Sequence, residues 1–127
     1  AQMKTMLDRM ADTIHCQLLS GKYGCSVATA GSPASGEVTD YLSRILIGFG
    51  ANVVGQVGAS PRAPGQMESA EKEASALGGQ LVEAIKTGKV YPDQEAVHQE
   101  RREYFRALVE MNKDLWTHEY EHWKRMG

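Results

Sequence analysis

The chain has 127 residues, room for one ordinary domain, and its 42% hydrophobic and 24% charged side chains exclude global disorder, while 13 Gly and 4 Pro exclude a collagen-like or low-complexity chain. Fourteen basic against sixteen acidic residues leave a formal charge of −2, so no positive field exists to hold a nucleic acid backbone. The longest apolar runs fall far short of the roughly 20 residues that a membrane span requires.

Met3, Met6, Leu7, Met10 and Ile14 recur at three and four residues, which predicts a helix over 3–13 with one face buried. The pattern runs from the first residues, and the chain begins at Ala1 without Met, so the start is expected to be a cut one. Gly21 breaks the chain. Tyr23–Thr29 is a nearly uncharged run of small and β-branched residues, the pattern of a parallel strand buried on both faces. A loop of small residues follows at 30–36, with Ser35 or Gly36 as the expected helix cap and Glu37 in the first turn. The next helix is predicted to run to Phe49, with Val38, Tyr41, Leu42, Ile45, Leu46 and Phe49 as its apolar face and Gly50 as its C′ terminator. A second strand is predicted over 52–57, ended by Gly58, followed by a loop over 58–65 and a helix over 67–86. Beyond Gly88 and Pro92, a charged helix over 93–113 and a short one over 117–125 complete the chain.

Strand, loop, helix, strand is one βαβ unit, and two parallel strands alone would be almost all edge. The expected fold class is therefore α/β: a flavodoxin-like three-layer sandwich with a parallel sheet, only its second half present. Its predicted division is 1–90 as that half-domain and 91–127 as a helical extension. In open sheets of this kind ligands bind outside the carboxyl ends of the strands, which singles out the nearly uncharged loops 30–36 and 58–65. Loops with few side chains let a flat or anionic ligand reach backbone N–H groups, and Ser32 and Ser35 add hydroxyls. The same pattern serves equally well as a tight strand-to-helix turn.

Several blocks in order carry a family likeness: Gln2-Met3-Lys4-Thr5-Met6-Leu7-Asp8-Arg9-Met10, Thr29-Ala30-Gly31, Gly50-Ala51-Asn52-Val53-Val54-Gly55, Tyr91-Pro92-Asp93-Gln94-Glu95, and Arg101-Arg102-Glu103-Tyr104-Phe105. Over nearly its whole length the chain resembles the NADPH-dependent FMN reductase family of flavodoxin-like proteins, including its iron–sulfur flavoprotein branch. The resemblance implies FMN at the carboxyl edge of a five-stranded sheet, reduced by NAD(P)H as co-substrate. It places Thr29, Ala30, Gly31 and Ser32, with Gly36, along the pyrimidine side of the flavin. It also implies that a phosphate loop and a cysteine cluster lie upstream of this chain. No acid, base or nucleophile is assigned, because the cofactor carries the chemistry and the protein positions it.

The motif His118-Glu119-Tyr120-Glu121-His122 satisfies H-E-x-x-H, yet the third ligand of a catalytic zinc and its downstream context are missing, so a charged terminal helix is the expectation and no metal site is assigned. Cys16 and Cys25 form no C-x-x-C and are read as free thiols, consistent with a reducing cytoplasmic setting. Trp116, Tyr120 and Trp123 are expected to anchor the tail to a partner subunit or to the missing half. Two functions follow from this reading. The first is part of an FMN-dependent NAD(P)H oxidoreductase; the alternative is a non-catalytic oligomerisation or docking fragment that does not bind FMN by itself. The expected partners are nucleotide cofactors together with a second copy or the missing amino-terminal half.

Overall fold

The computed structural model describes residues 2–62 and 64–127. Its elements in chain order are α1 (Gln2–Asp8), α2 (Ala11–His15), β1 (Tyr23–Thr29), α3 (Ser35–Gly48), β2 (Asn52–Ala59), α4 (Gln66–Thr87), α5 (Pro92–Met111) and α6 (Thr117–Met126). β1 and β2 pair in parallel from Tyr23↔Asn52 to Thr29↔Ala59, and a register shift between Gly24 and Cys25 leaves Val54 as the extra residue of a bulge. The chain is thus an α/β fold with a two-stranded parallel sheet among the described residues.

Side-chain alternation assigns one sheet face to each covering helix. Cys25, Val57 and Ala59 pack with Ala70 and Leu77 of α4, the main apolar cluster. Gly55 belongs to the same face, where a β-carbon would stand 2.9 Å from a Leu77 methyl. The opposite face, under α3, is polar. Ser26 Oγ lies 3.0 Å from Thr39 O and 2.9 Å from Ser43 Oγ, and Ser43 Oγ lies 2.8 Å from Gln56 Oε1, so two hydroxyl protons are shared along this chain, and Gln56 Nε2 donates to Asp40. Each hydroxyl of this network therefore has a partner, as burial demands.

This changes the expected orientation of α3. Its buried residues are Thr39, Ser43 and Gly48, a stripe of small residues that lies close on Ser26 and Gln56, while Val38 and Tyr41 remain exposed. Leu42, Ile45, Leu46 and Phe49 of the apolar stripe read from the sequence look sideways into a half-open groove. Met3, Met6, Leu7, Met10, Val27, Leu42 and Ile45 line that groove beside the free edge of β1. The predicted first helix is broken in two at Arg9–Met10, and none of the α1 residues is buried. β2 runs two residues past the expected last residue, Val57, because Gly58 pairs with Ala28 and leaves room for Ser35 against its backbone.

α5 closes the other edge of the sheet. Gln94 Oε1 accepts from Val53 N–H at 2.8 Å and Gln94 Nε2 donates to Val53 O at 2.9 Å, so a side-chain amide stands in for a neighbouring strand. One turn on, buried His98 bonds Ala51 O through Nε2 at 2.9 Å. The tail folds back on its own chain. Trp116 stacks on His15 with centroids 4.3 Å apart, and Trp123 Nε1 donates to His15 O at 2.9 Å. The tail tryptophans expected to grip a partner are used inside this chain.

Cys16 sits in that joint at 2% exposure, and burial, with Glu119 and Asp12 adding to it, pushes its thiol up to about 11. In the unfolded chain the thiol ionises from about 9, so this neutral thiol contributes stability that is fully present below pH 9 and is lost as pH rises toward 11. Urea melts across that window should show a steeper decline for the parent chain than for Cys16→Ala. Equal slopes would mean that the thiol titrates alike in both states.

Candidate functional site

The carboxyl ends of β1 and β2 carry the two loops singled out by the sequence. Thr29, the last residue of β1, is exposed and pairs with Ala59, and Ala30 N–H donates to Ala59 O at 3.0 Å, which ties the start of the first loop to the second strand. Gly31 and Ser32 are exposed beyond it. Gly36 is the second residue of α3, also exposed, with nothing within 4 Å of where its β-carbon would lie. Thr29, Ala30, Gly31, Ser32 and Gly36 therefore share one edge.

Gly58 sets the height of this loop. A β-carbon there would lie 3.0 Å from Ser35 Oγ and 3.1 Å from Ser35 C, so the first residue of α3 rests directly on β2. The expected cap is corrected: the N-cap is Ala34, not Ser35 or Gly36, and no side chain bonds the first turn of α3. An alanine cap leaves the opening N–H groups of the helix without an internal acceptor. Just past the second strand, buried Ser60 donates its N–H to Gln66 Oε1, and Gly65 precedes α4 at φ +73°, a conformation that glycine adopts without strain.

Sequence reasoning treated loop 58–65 as nearly uncharged and passed over its one charge. Arg62 crosses to the first loop: a β-carbon built on Gly31 would stand 3.9 Å from Arg62 Nε and 4.0 Å from Cζ. Arg62 has no hydrogen bond or ion pair among the described residues. Its standing as the single charged residue in the loop was the available signal.

The edge is thus flat, lined by small residues, open to solvent, and equipped with hydroxyls, backbone amides and one unpaired cation. That donor set suits a planar ligand with acceptor atoms along its rim, and nothing lies within 4 Å of where a Gly36 β-carbon would stand. Iron–sulfur ligation is a different matter. The chain has two cysteines, Cys16 buried beneath the tail and Cys25 in the sheet, whereas a cluster takes four thiolates. These residues do not fit a cluster, and no step is placed on one. Among the described residues no group of three or more His, Cys, Asp and Glu side chains is arranged to hold a metal ion, and Glu119 of the H-E-x-x-H motif has an oxygen 3.7 Å from His15 Nδ1. Nor is any described helix long and apolar enough to cross a membrane.

A parallel α/β sheet with its open loops at the strand carboxyl ends defines a class of ligand-binding folds. Comparison with known proteins narrows that class. No family model matches the chain, and no solved structure matches it. The chain is similar to the iron-sulfur flavoprotein of Archaeoglobus fulgidus, with 34% identity over 130 aligned positions, covering all of this chain and 58% of that protein. The chain spans a little over half the length of that relative.

Proposed function

We propose that the chain is the carboxyl-terminal part of an FMN-dependent NAD(P)H oxidoreductase. The observation that carries this reading is the open, small-residue edge formed by 29–32 and Gly36 at the carboxyl ends of two parallel strands, in a chain alignable along its whole length with a flavoprotein. Bound FMN would supply the chemistry by accepting a hydride from the nicotinamide, two electrons and a proton together, and passing electrons on to an acceptor. The protein's share is placement. Ser35 seated on Gly58 fixes the loop height, the Ala30 to Ala59 hydrogen bond fixes its start, and Gly31 and Gly36 keep the surface low enough for a ring to lie against backbone.

Titration of the chain with FMN, followed by flavin fluorescence, tests this reading. Saturable quenching and yellow colour retained through gel filtration are expected; no quenching overturns FMN binding by this chain.

A second reading has its own support, the groove beside β1. Val27 is 56% exposed on a strand whose outer edge has no neighbour among the described residues, and Met3 and Met6 lie half out of contact. Such an edge is a template for another strand. The groove fits a strand with apolar residues, supplied by the remainder of a longer protein or by a second copy of this chain. Light scattering on the same sample should report a species larger than 13.9 kDa; a well-folded monomer would leave this groove without an occupant.

A further inference from the structure

We infer that Arg62 supplies the positive charge facing the acceptor-rich rim of the flavin ring, stabilising the negative charge that this rim takes up when the ring is reduced. The inference rests on the flavin reading and adds a residue that neither the sequence pattern nor the likeness assigned. Three observations lead to it. Arg62 leaves its own loop to lie against Gly31 of the other loop. Its guanidinium has no carboxylate partner among the described residues, although Glu37 and Glu68 stand in the first turns of the two helices that begin here. Among the residues of loops 30–36 and 58–65 it is the one charged side chain.

An unpaired cation held beside a bare glycine presents a planar donor set at the level where a planar ligand would rest. Hydride transfer from the nicotinamide to flavin N5 delivers two electrons and one proton. The nicotinamide leaves oxidised, and the surplus negative charge is spread over the N1–C2=O rim. A fixed positive charge at that rim favours the reduced ring over the oxidised one. A phosphate would instead draw on the uncapped N–H groups that open α3, and riboflavin, which lacks the phosphate, separates the two roles.

The test uses the full chain, its Arg62→Gln variant and its Arg62→Lys variant, each titrated with FMN and with riboflavin, which lacks the phosphate. Sulfite then provides a readout without turnover. Its lone pair forms a bond to N5 and the displaced ring electrons settle on the N1–C2=O rim, so sulfite affinity reports the positive charge there. Arg62→Gln is expected to weaken sulfite addition about five- to tenfold, the effect of one partly screened charge at close range, and Arg62→Lys to recover part of it. Riboflavin and FMN should lose affinity alike. A loss confined to FMN would overturn the assignment by placing Arg62 on the phosphate, and unchanged sulfite affinity with intact FMN binding would overturn it while leaving the flavin reading standing. Failure of the parent chain to bind either flavin would overturn both.

Discussion

His98→Ala should lower the unfolding free energy by about 3 kcal/mol, the sum expected when a large buried side chain is removed and its hydrogen-bond partner is left alone. His98 is 2% exposed and its Nε2 lies 2.9 Å from Ala51 O, a carbonyl on a residue that is itself 2% exposed. Ala51 precedes β2, and its carbonyl meets α5 where a further strand would otherwise run, so no water or strand replaces the imidazole once it is gone. The geometry assigns the Nε2 proton to that bond, leaving Nδ1 to face Glu95 at 3.9 Å. His98→Gln, which keeps a donor of similar reach, should recover a good part of the loss in urea melts. If His98→Ala and His98→Gln are equally stable, the hydrogen bond contributes nothing and only volume matters.

The consequence extends past stability, because His98 and Gln94 lie four residues apart on one face of α5 and together close the edge at Ala51 and Val53. That closure was invisible in the sequence. Gln94 and His98 are two polar residues in a strongly charged helix, and periodicity marks only the apolar positions of such a helix. A polar side chain that imitates a strand carries no spacing signal. β1 was legible to the residue because its β-branched run ends against Gly21 on one side and a loop of small residues on the other. β2 was read short at Gly58, since a glycine in a strand reads equally as a stop and as a close approach. Ser35 pressed on that glycine shows the second role.

The orientation of α3 was misread for a related reason. An apolar stripe is ordinarily the buried one, but here the strands offer Ser26, Gln56 and Gly58 on the face that α3 covers, which Thr39, Ser43 and Ser35 meet, while Leu46 reaches Gly24. The stripe instead marks a surface awaiting a neighbour. Of the candidate site, the rule that places ligands at strand carboxyl ends singled out loops 30–36 and 58–65, whereas Thr29, Ala30, Gly31, Ser32 and Gly36 were named only by the family resemblance. Arg62 was not, because a lone arginine in a loop says nothing of which way it reaches until the loop across from it is in place.

Gly50→Ala is expected to cost about 3 kcal/mol or more, since two separate penalties fall on one β-carbon. Gly50 sits at φ +99°, where an L side chain is strained. The added carbon would lie 3.0 Å from Ser20 Oγ, 3.1 Å from Ser20 N and 3.4 Å from Gln17 O. Ser20 Oγ is free to rotate, at the loss of its 2.7 Å bond to Gln17 O, but a backbone nitrogen and carbonyl move only with their turn. That turn is joined to the strand entry by Leu19 N–H to Phe49 O and by Asn52 N–H to Lys22 O, so shifting it loosens the amino ends of both strands. Gly21→Ala separates the two penalties, because Gly21 has φ +75° with nothing within 4 Å of its β-carbon. It should cost only the backbone share, about 1 kcal/mol. Equal losses at the two positions would show that crowding against Ser20 is absent. A much larger loss at Gly50 would assign the excess to crowding against Ser20 and Gln17 O, at the turn where α3 passes into β2.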